Sequence, residues 1–462
     1  MNSLILFGAG VYAKKYIELL TFLNMDFDYF TDNDSLKWNT ILYNKPVISV
    51  KCLSQMPACK IIISCTHETA VRKQLADMGL EKNIIGLDLL YDMCEKKMSK
   101  ESNQDIAIHN GTAIIIDMYE GIGWGGTELW AANLAYELKK SEDIVILLGG
   151  TEQPKLEKRY EALVKRISGK GTMAQMAELM EKNLPCIFVN NFAGCGFMAA
   201  IAIKRKHPDL VKIVSVIHND NKGLFDAHML MSKYIDKIFC VSSQICEHMK
   251  RIYDYTLDCY YFKEQPIRTD TLWERESNMS DRVKIGYAAR LVKQQKCADL
   301  LVDLLGQLEK KGMDYCMQIV GEGECSKLIE EYIANCNLRN KVQLMGRLPR
   351  SEMDSFWKKQ DIFVNLSEYE GTSLSMLEAM GYGCVPVVTD VSGAKEFIEP
   401  NKNGYICGIG AVEDIADRIV ELSENRELLK TYGENCRKII EERCNPEEYR
   451  TYWKEKVLGD WL

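Results

Sequence analysis

Three open α/β units in one chain, each a parallel sheet flanked by helices, are what this sequence predicts. Three observations carry the prediction. The chain has 462 residues, too many for one ordinary domain. Short apolar runs of strand length alternate with helical periods along almost all of it, the pattern of parallel sheets joined by crossover helices. Glycine-rich turns follow strands in every unit: Gly8-Ala9-Gly10, Gly123-Trp124-Gly125-Gly126 and Gly321-Glu322-Gly323.

The first unit covers residues 1–100. Strands are expected at 3–7, 27–30, 60–64 and 83–86, with helices at 14–23 and 68–78; Lys45-Pro46-Val47 falls in a loop. The polar run 94–106 lacks apolar periodicity and reads as a linker. The second unit, 106–280, has strands at 113–117, 144–148, 186–189, 212–217 and 237–241. Its helices are expected at 128–139 and within 155–182, and a polar stretch at about 254–281 ends it. The third unit, 281–462, has strands at 283–287, 315–320, 342–344, 362–365 and 384–388. Helices lie at 298–310, 325–336, 350–359, 374–381, 412–423 and 426–442, and the tail is helical in pattern.

Composition narrows the function. Hydrophobic residues make up 47% and charged ones 27%, and the net charge of -8 argues against a nucleic-acid binder. The 17 cysteines are scattered, often inside apolar runs, with no CxxC pair. They read as reduced, buried thiols of a cytoplasmic protein, and no metal site is expected. The N-terminus lacks the basic region of a signal peptide.

The densest chemistry lies at 365–396. The strand ends in a loop with Glu370 and Gly371, then Thr372 or Ser373 caps the helix that begins at Leu374. The free N–H groups and dipole of that helix suit a diphosphate. Glu378, one and a half turns in, leans back toward the same ligand and suits hydroxyls, as an acidic residue does for ribose in dinucleotide folds. Spacing alone would be weak, since two glutamates eight apart are common. Arg290 and Lys296 follow the first strand of the unit and could balance a departing diphosphate; two surface cations are the plain alternative.

The whole string, from strand through Glu-Gly, hydroxyls, Glu-Ala-Met and Gly-x-Gly to the buried strand, resembles the donor-site signature of retaining glycosyltransferases with the glycosyltransferase B fold, in particular family 4. The resemblance covers about 106–462. It implies that Glu370 contacts the donor sugar, Glu378 the ribose, and the backbone of Thr372, Ser373 and Leu374 the sugar and diphosphate. It also implies that the stretch Gly346-Arg347-Leu348 reads the base, that Gly125 and Gly126 lie beside diphosphate and acceptor, and that His218 meets the donor sugar. The family's usual Gly-Arg…Lys-Gly appears here as Ala289-Arg290…Lys296-Cys297, and its Pro-Asn-Gly before the second domain is replaced by EQPIRTDTL. A UDP- or GDP-type nucleotide sugar is the implied donor, with no cofactor required and a saccharide or lipid-linked acceptor. A lipid-linked acceptor would bring the protein to the inner face of the membrane, and the oligomeric state is left open.

The first unit has its own motif. Gly8, Gly10 and Ala13 fit a Gly-x-Gly-x-x-Ala phosphate turn, and Asp32 or Asp34 ends the second strand where a ribose-binding acid is expected. Either it holds a nucleotide, NAD(P) included, or it is a Rossmann-like unit kept for docking or regulation. The first alternative gives a competing function, an NAD(P)-dependent sugar-nucleotide oxidoreductase or epimerase, or a sugar-nucleotide sensor.

Overall fold

The computed structural model describes residues 3–10, 13–65, 68–101, 110–119, 125–150, 157–167, 171–229, 231–252, 258–261 and 282–462. Three sheets organise them. The first pairs Lys45–Ser49, Tyr29–Asp32, Leu4–Phe7 and Lys60–Ile63 in parallel, with the two-residue strand Ile41–Leu42 antiparallel at one edge. The second is wholly parallel, in the order Val164–Ile167, Val145–Gly150, Ala113–Asp117, Cys186–Asn190, Val211–Ile217, Lys237–Cys240, Asp258–Tyr261. The third runs Val342–Gly346, Tyr315–Val320, Val283–Ala288, Ile362–Asn365, Val385–Thr389, Tyr405–Cys407, also parallel. In each, the parallel strands run third, second, first, fourth in chain order, the doubly wound arrangement of a Rossmann-like unit.

Several expectations change. The linker expected at 94–106 is helical as far as Glu101, because Leu90, Tyr91, Cys94 and Met98 give the helix Leu87–Glu101 a buried stripe; 102–106 lie outside the described residues. Lys45-Pro46-Val47 belongs to a strand and not a loop. Pro46 is tolerated there because its neighbour on one side is only the short edge strand. Residues 83–86 form no strand; Ile84 makes a single bridge to Ile61. Within 155–182 the helix is broken, into Lys158–Glu161, the strand Val164–Ile167 and the helix Thr172–Glu181. The polar stretch 254–281 contains the strand Asp258–Tyr261, and the rest of it lies outside the described residues.

The units share their core. One apolar cluster runs from Leu6, Tyr16 and Leu90 of the first sheet's layer through Ile115, Phe188 and Val214 of the second to Leu377 and Tyr382 of the third. The chain end returns to the second sheet. Trp453 stacks near Phe239 and Trp130, at 4.8 and 5.7 Å between centroids, and Arg450 reaches Glu137 at 3.3 Å. No helix among the described residues is long and apolar enough to cross a membrane.

Candidate active site at the seam of the second and third sheets

In a doubly wound sheet the ligand crevice opens where the first and fourth strands diverge, beyond their C-terminal ends. In the third sheet those strands are Val283–Ala288 and Ile362–Asn365, paired through Ile285 and Gly286. The loops that leave them carry Arg290 to Cys297 and Leu366 to Ser373. The crevice therefore brings together residues the sequence separates by about seventy positions.

Glu370 is 6% exposed, and its Oε1 accepts from Ser367 Oγ at 2.7 Å and from the Lys296 ammonium. Ser367 is fixed in turn: its N–H donates to Asn365 Oδ1 at 2.7 Å and its carbonyl accepts from Thr389 Oγ1. Lys296 thus pairs with Glu370. Arg290 is exposed and donates to Gln295 Oε1 at 2.7 Å, and Gln295 Nε2 donates to Asn219 Oδ1 of the second unit at 3.1 Å. Gln295 and Cys297 adopt φ of +73° and +46°, so this loop holds strained backbone. The Gly321-Glu322-Gly323 turn buttresses it. A Cβ on Gly321 would sit 1.9 Å from the Ala289 carbonyl oxygen, and one on Gly323 2.3 Å from that of Leu291.

The loop 366–373 touches the second unit directly. The Asp220 N–H donates to the Glu370 carbonyl at 3.0 Å, and Thr372 Oγ1 donates to the Val241 carbonyl at 2.6 Å. Ser373, not Thr372, caps the helix Leu374–Gly381 by accepting from the Met376 N–H at 3.3 Å. Ser392 Oγ binds Asp220 Oδ2, His248 Nδ1 lies 2.8 Å from Asp220 Oδ1, and Glu396 Oε1 accepts from Ser243 N and Oγ. A Cβ on Gly371 would fall 2.1 Å from the His218 carbonyl oxygen. Gly371→Ala should push the loop away from that strand end. Turnover is expected to fall about 10²-fold, as for displacements near 1 Å in an active site, with the thermal midpoint lowered by only a few degrees. Unchanged turnover would show that the close approach does not matter.

His218 follows the strand Val211–Ile217 and packs edge-on against Trp130 at 4.9 Å. Asn191 Nδ2 donates to the Asp117 carbonyl at 2.7 Å, so Asn191 Oδ1 faces His218 Nε2 at 2.8 Å. That places the imidazole proton on Nε2 and leaves Nδ1 as an acceptor. Desolvation, aided by His228, pushes its pKa down to about 3, so the ring is neutral at physiological pH.

Glu378 is 7% exposed in its helix. Arg350 holds both of its oxygens, at 2.7 Å from Nη1 to Oε2 and 2.5 Å from Nη2 to Oε1. Burial raises the carboxyl above its usual range, and Arg350 opposes that rise. Sequence reasoning missed Arg350, although a signal exists: it opens the helix Arg350–Trp357, where the helix dipole disfavours a cation. Ser367, Asn219, Asp220 and Gln295 were also missed and carry no comparable mark.

Among the described residues, the remaining candidates make no hydrogen bond to Glu370, Lys296 or Ser367. The Gly125 N–H donates to Glu128 Oε2 at 3.1 Å, and Gly126 opens the helix Gly126–Lys139; Gly123 and Trp124 lie outside the described residues. Arg347 is exposed, and Leu348 packs on the core beyond Gly346, whose φ is +64°. In the first unit Gly8 has φ +121° with the Ser64 carbonyl oxygen 3.0 Å from a Cβ position, whereas Gly10 is open. Asp32 accepts from the Ala9 N–H at 2.8 Å, the Asp34 N–H at 2.9 Å and Lys37 at 3.0 Å, while Asp34 accepts from the Leu36 N–H. The Asp32 carboxylate is thus engaged within its own unit. Among the described residues no three His, Cys, Asp or Glu side chains are grouped to hold a metal ion.

Comparison with known proteins agrees with this architecture. Residues 270–439 match the family model "Glycosyl transferases group 1". The chain is 33% identical over 181 residues to a poly(ribitol-phosphate) alpha-N-acetylglucosaminyltransferase of Staphylococcus aureus, covering 38% of this chain and 34% of that protein. It is 23% identical over 312 residues to the N-acetyl-alpha-D-glucosaminyl L-malate synthase of Bacillus anthracis, covering 62% and 79%. Among solved structures, Anabaena HepE in complex with UDP and glucose superposes with a TM-score of 0.65 at 15% identity, over 75% of this chain and 99% of that one. The pneumococcal O-GlcNAc transferase GtfA in complex with UDP and GlcNAc gives 0.62 at 14%, over 76% and 99%. The chain spans about a third of the length of the Staphylococcus relative. The second and third sheets form a glycosyltransferase B fold, and a third Rossmann-like unit precedes them.

Proposed function

We propose that the chain is a retaining glycosyltransferase of the family 4 type, moving a sugar from a UDP- or GDP-type nucleotide sugar to a hydroxyl of a saccharide or lipid-linked acceptor in surface polysaccharide synthesis. The observation that carries the reading is the buried Glu370 carboxylate at the crevice of the third sheet, held by Lys296 and Ser367 in a loop whose Gly371 abuts the His218 carbonyl. Residues 281–462 then hold the donor and 106–280 the acceptor. The diphosphate meets the N–H groups of the capped helix Leu374–Gly381 and Arg290. The ribose hydroxyls donate to Glu378, the base lies along Arg347 and Leu348, and Gly125 and Gly126 line the acceptor side. Glu370 orients the sugar, and neutral His218 accepts a hydrogen bond from a sugar hydroxyl at Nδ1. Arg290 and Lys296 offset charge on the leaving diphosphate, which takes the acceptor proton as the new bond forms on the same face of the anomeric carbon. The named activities of the relatives, which act on ribitol phosphate and malate among others, support sugar transfer and differ in acceptor. The reading places the protein in the cytoplasm, at the membrane face when the acceptor is lipid-linked.

The test is a panel of UDP- and GDP-sugars followed by NMR for binding and slow hydrolysis. One donor should bind and release its sugar with the donor's anomeric configuration. Release of the opposite anomer would remove the retaining mechanism, and no binding across the panel would remove glycosyl transfer.

A further inference from the structure

The first unit is joined to the strand ends of the second by two consecutive lysines. Both lie at the start of the helix Ala13–Phe22, which packs on the helices Thr172–Glu181 and Cys195–Lys206. Lys15 is 8% exposed and donates to the Ala193 carbonyl at 3.1 Å. Lys14 lies over the Tyr119 ring, 5.4 Å from its centroid. Ala193 and Tyr119 follow the strands Cys186–Asn190 and Ala113–Asp117, the two that flank the crevice of the second sheet.

Burying a lysine is costly unless its charge is well placed, so this contact constrains the turn it reaches. The turn is strained: Ala193 has φ +50°, and its N–H is tied to Asn190 Oδ1 at 3.0 Å. Asn190 Nδ2 also reaches Ser215 Oγ at 2.9 Å and His228 Nδ1 at 3.3 Å, so the cluster beside Lys15 is polar and buried. Asn191, inside the same turn, accepts from His218 Nε2. The route from the first unit to the site is therefore four residues long: Lys15, the Ala193 turn, Asn191, His218.

We propose that the first unit is an integral wall of the acceptor half and that Lys15 is a positioning residue, fixing the Asn190–Ala193 turn and through it the orientation of His218. The catalytic consequence rests on the glycosyl-transfer reading; the positioning itself does not. Further docking contacts agree with a fixed unit. Arg205 pairs with Asp92 and Glu95, Lys233 with Asp88 at 2.5 Å, and both units share one core.

The experiment uses the full chain with Lys15→Met, His218→Ala and the double variant, and Lys15→Gln as a milder change that keeps one donor. With the active nucleotide sugar, Lys15→Met should lower kcat about tenfold or more while affinity for its nucleoside diphosphate stays within about twofold, because that part of the donor is held by the third unit. The double variant should be no slower than His218→Ala alone. Independently of activity, ¹⁵N-histidine spectra should show the His218 ring as the single Nε2–H tautomer in the wild type and as a mixture in Lys15→Met, with Lys15→Gln between them. Unchanged His218 signals in both Lys15 variants, or losses that multiply in the double variant, would overturn the proposal. A wild type that binds no nucleotide sugar would defeat the transferase reading while the spectra still decide the positioning role.

Discussion

Glu370→Gln should lower transfer by about 10²–10³-fold, the scale of removing one preorganised electrostatic contact, and should also destabilise the protein. The two effects have different origins. In the proposed reaction the carboxylate orients the donor sugar, and the amide cannot reproduce its charge. Stability falls because Lys296, with only 16% of its side chain exposed, loses its counter-charge. Breaking a largely buried pair from one side costs about 3–5 kcal/mol, whereas replacing both partners with neutral groups can be close to neutral. Glu370→Gln combined with Lys296→Met should therefore recover most of the lost unfolding free energy and none of the turnover. Urea denaturation and initial rates separate the outcomes. A Glu370→Gln protein with wild-type turnover ends the assignment. A double variant as unstable as the single one would show that the loss does not come from an unpaired Lys296.

What the sequence made legible follows from what is local. The strand Ile362–Asn365, the glycine and hydroxyl turn and the helix Leu374–Gly381 are contiguous, so one window of residues announced both carboxylates and their frame. Among the strands that escaped, Val164–Ile167 is short and half polar, Lys45–Ser49 contains a proline, and Ile41–Leu42 and Tyr405–Cys407 have only two and three residues. The helix Cys195–Lys206 is apolar on nearly every face because it is buried between units, so it shows no amphipathic period. At the site, the carboxylates were readable and their partners were not. The contacts of Thr372 with Val241 and of Lys15 with Ala193 span 131 and 178 positions and exist only once three sheets are packed. Arg350 is the instructive case, because its place at a helix start disobeys the dipole, and a local rule broken at no visible gain points to a partner elsewhere.

Arg350→Met is expected to give nucleotide affinity and stability opposite dependences on pH. Burial lifts the Glu378 carboxyl above its ordinary range; Arg350 pulls it back, while Asp354 on the same helix as Arg350 and Glu157 from the second unit push it further up. Removing the guanidinium raises it again. In the proposed complex the ribose hydroxyls donate to the ionised oxygens, so affinity is present above that pKa and lost as pH falls through it. The loss should occur at higher pH in the variant, leaving the donor's nucleoside diphosphate bound more weakly than by the wild type on the acid side, with the gap narrowing as pH rises. Stability runs the other way. A carboxyl whose folded pKa exceeds its unfolded one favours folding below the unfolded value, and that contribution is lost as pH rises through the folded pKa. The variant, with the larger elevation, should therefore be most destabilised relative to wild type at neutral pH, by about 3–5 kcal/mol, and should recover on acidification. Calorimetric titration with UDP or GDP, whichever the donor panel selects, and thermal unfolding in the same buffers measure both. A constant factor in affinity at every pH would mean that Arg350 only packs the two helices together. Crossed trends would mean that its charge keeps a buried carboxylate ionised for the nucleotide.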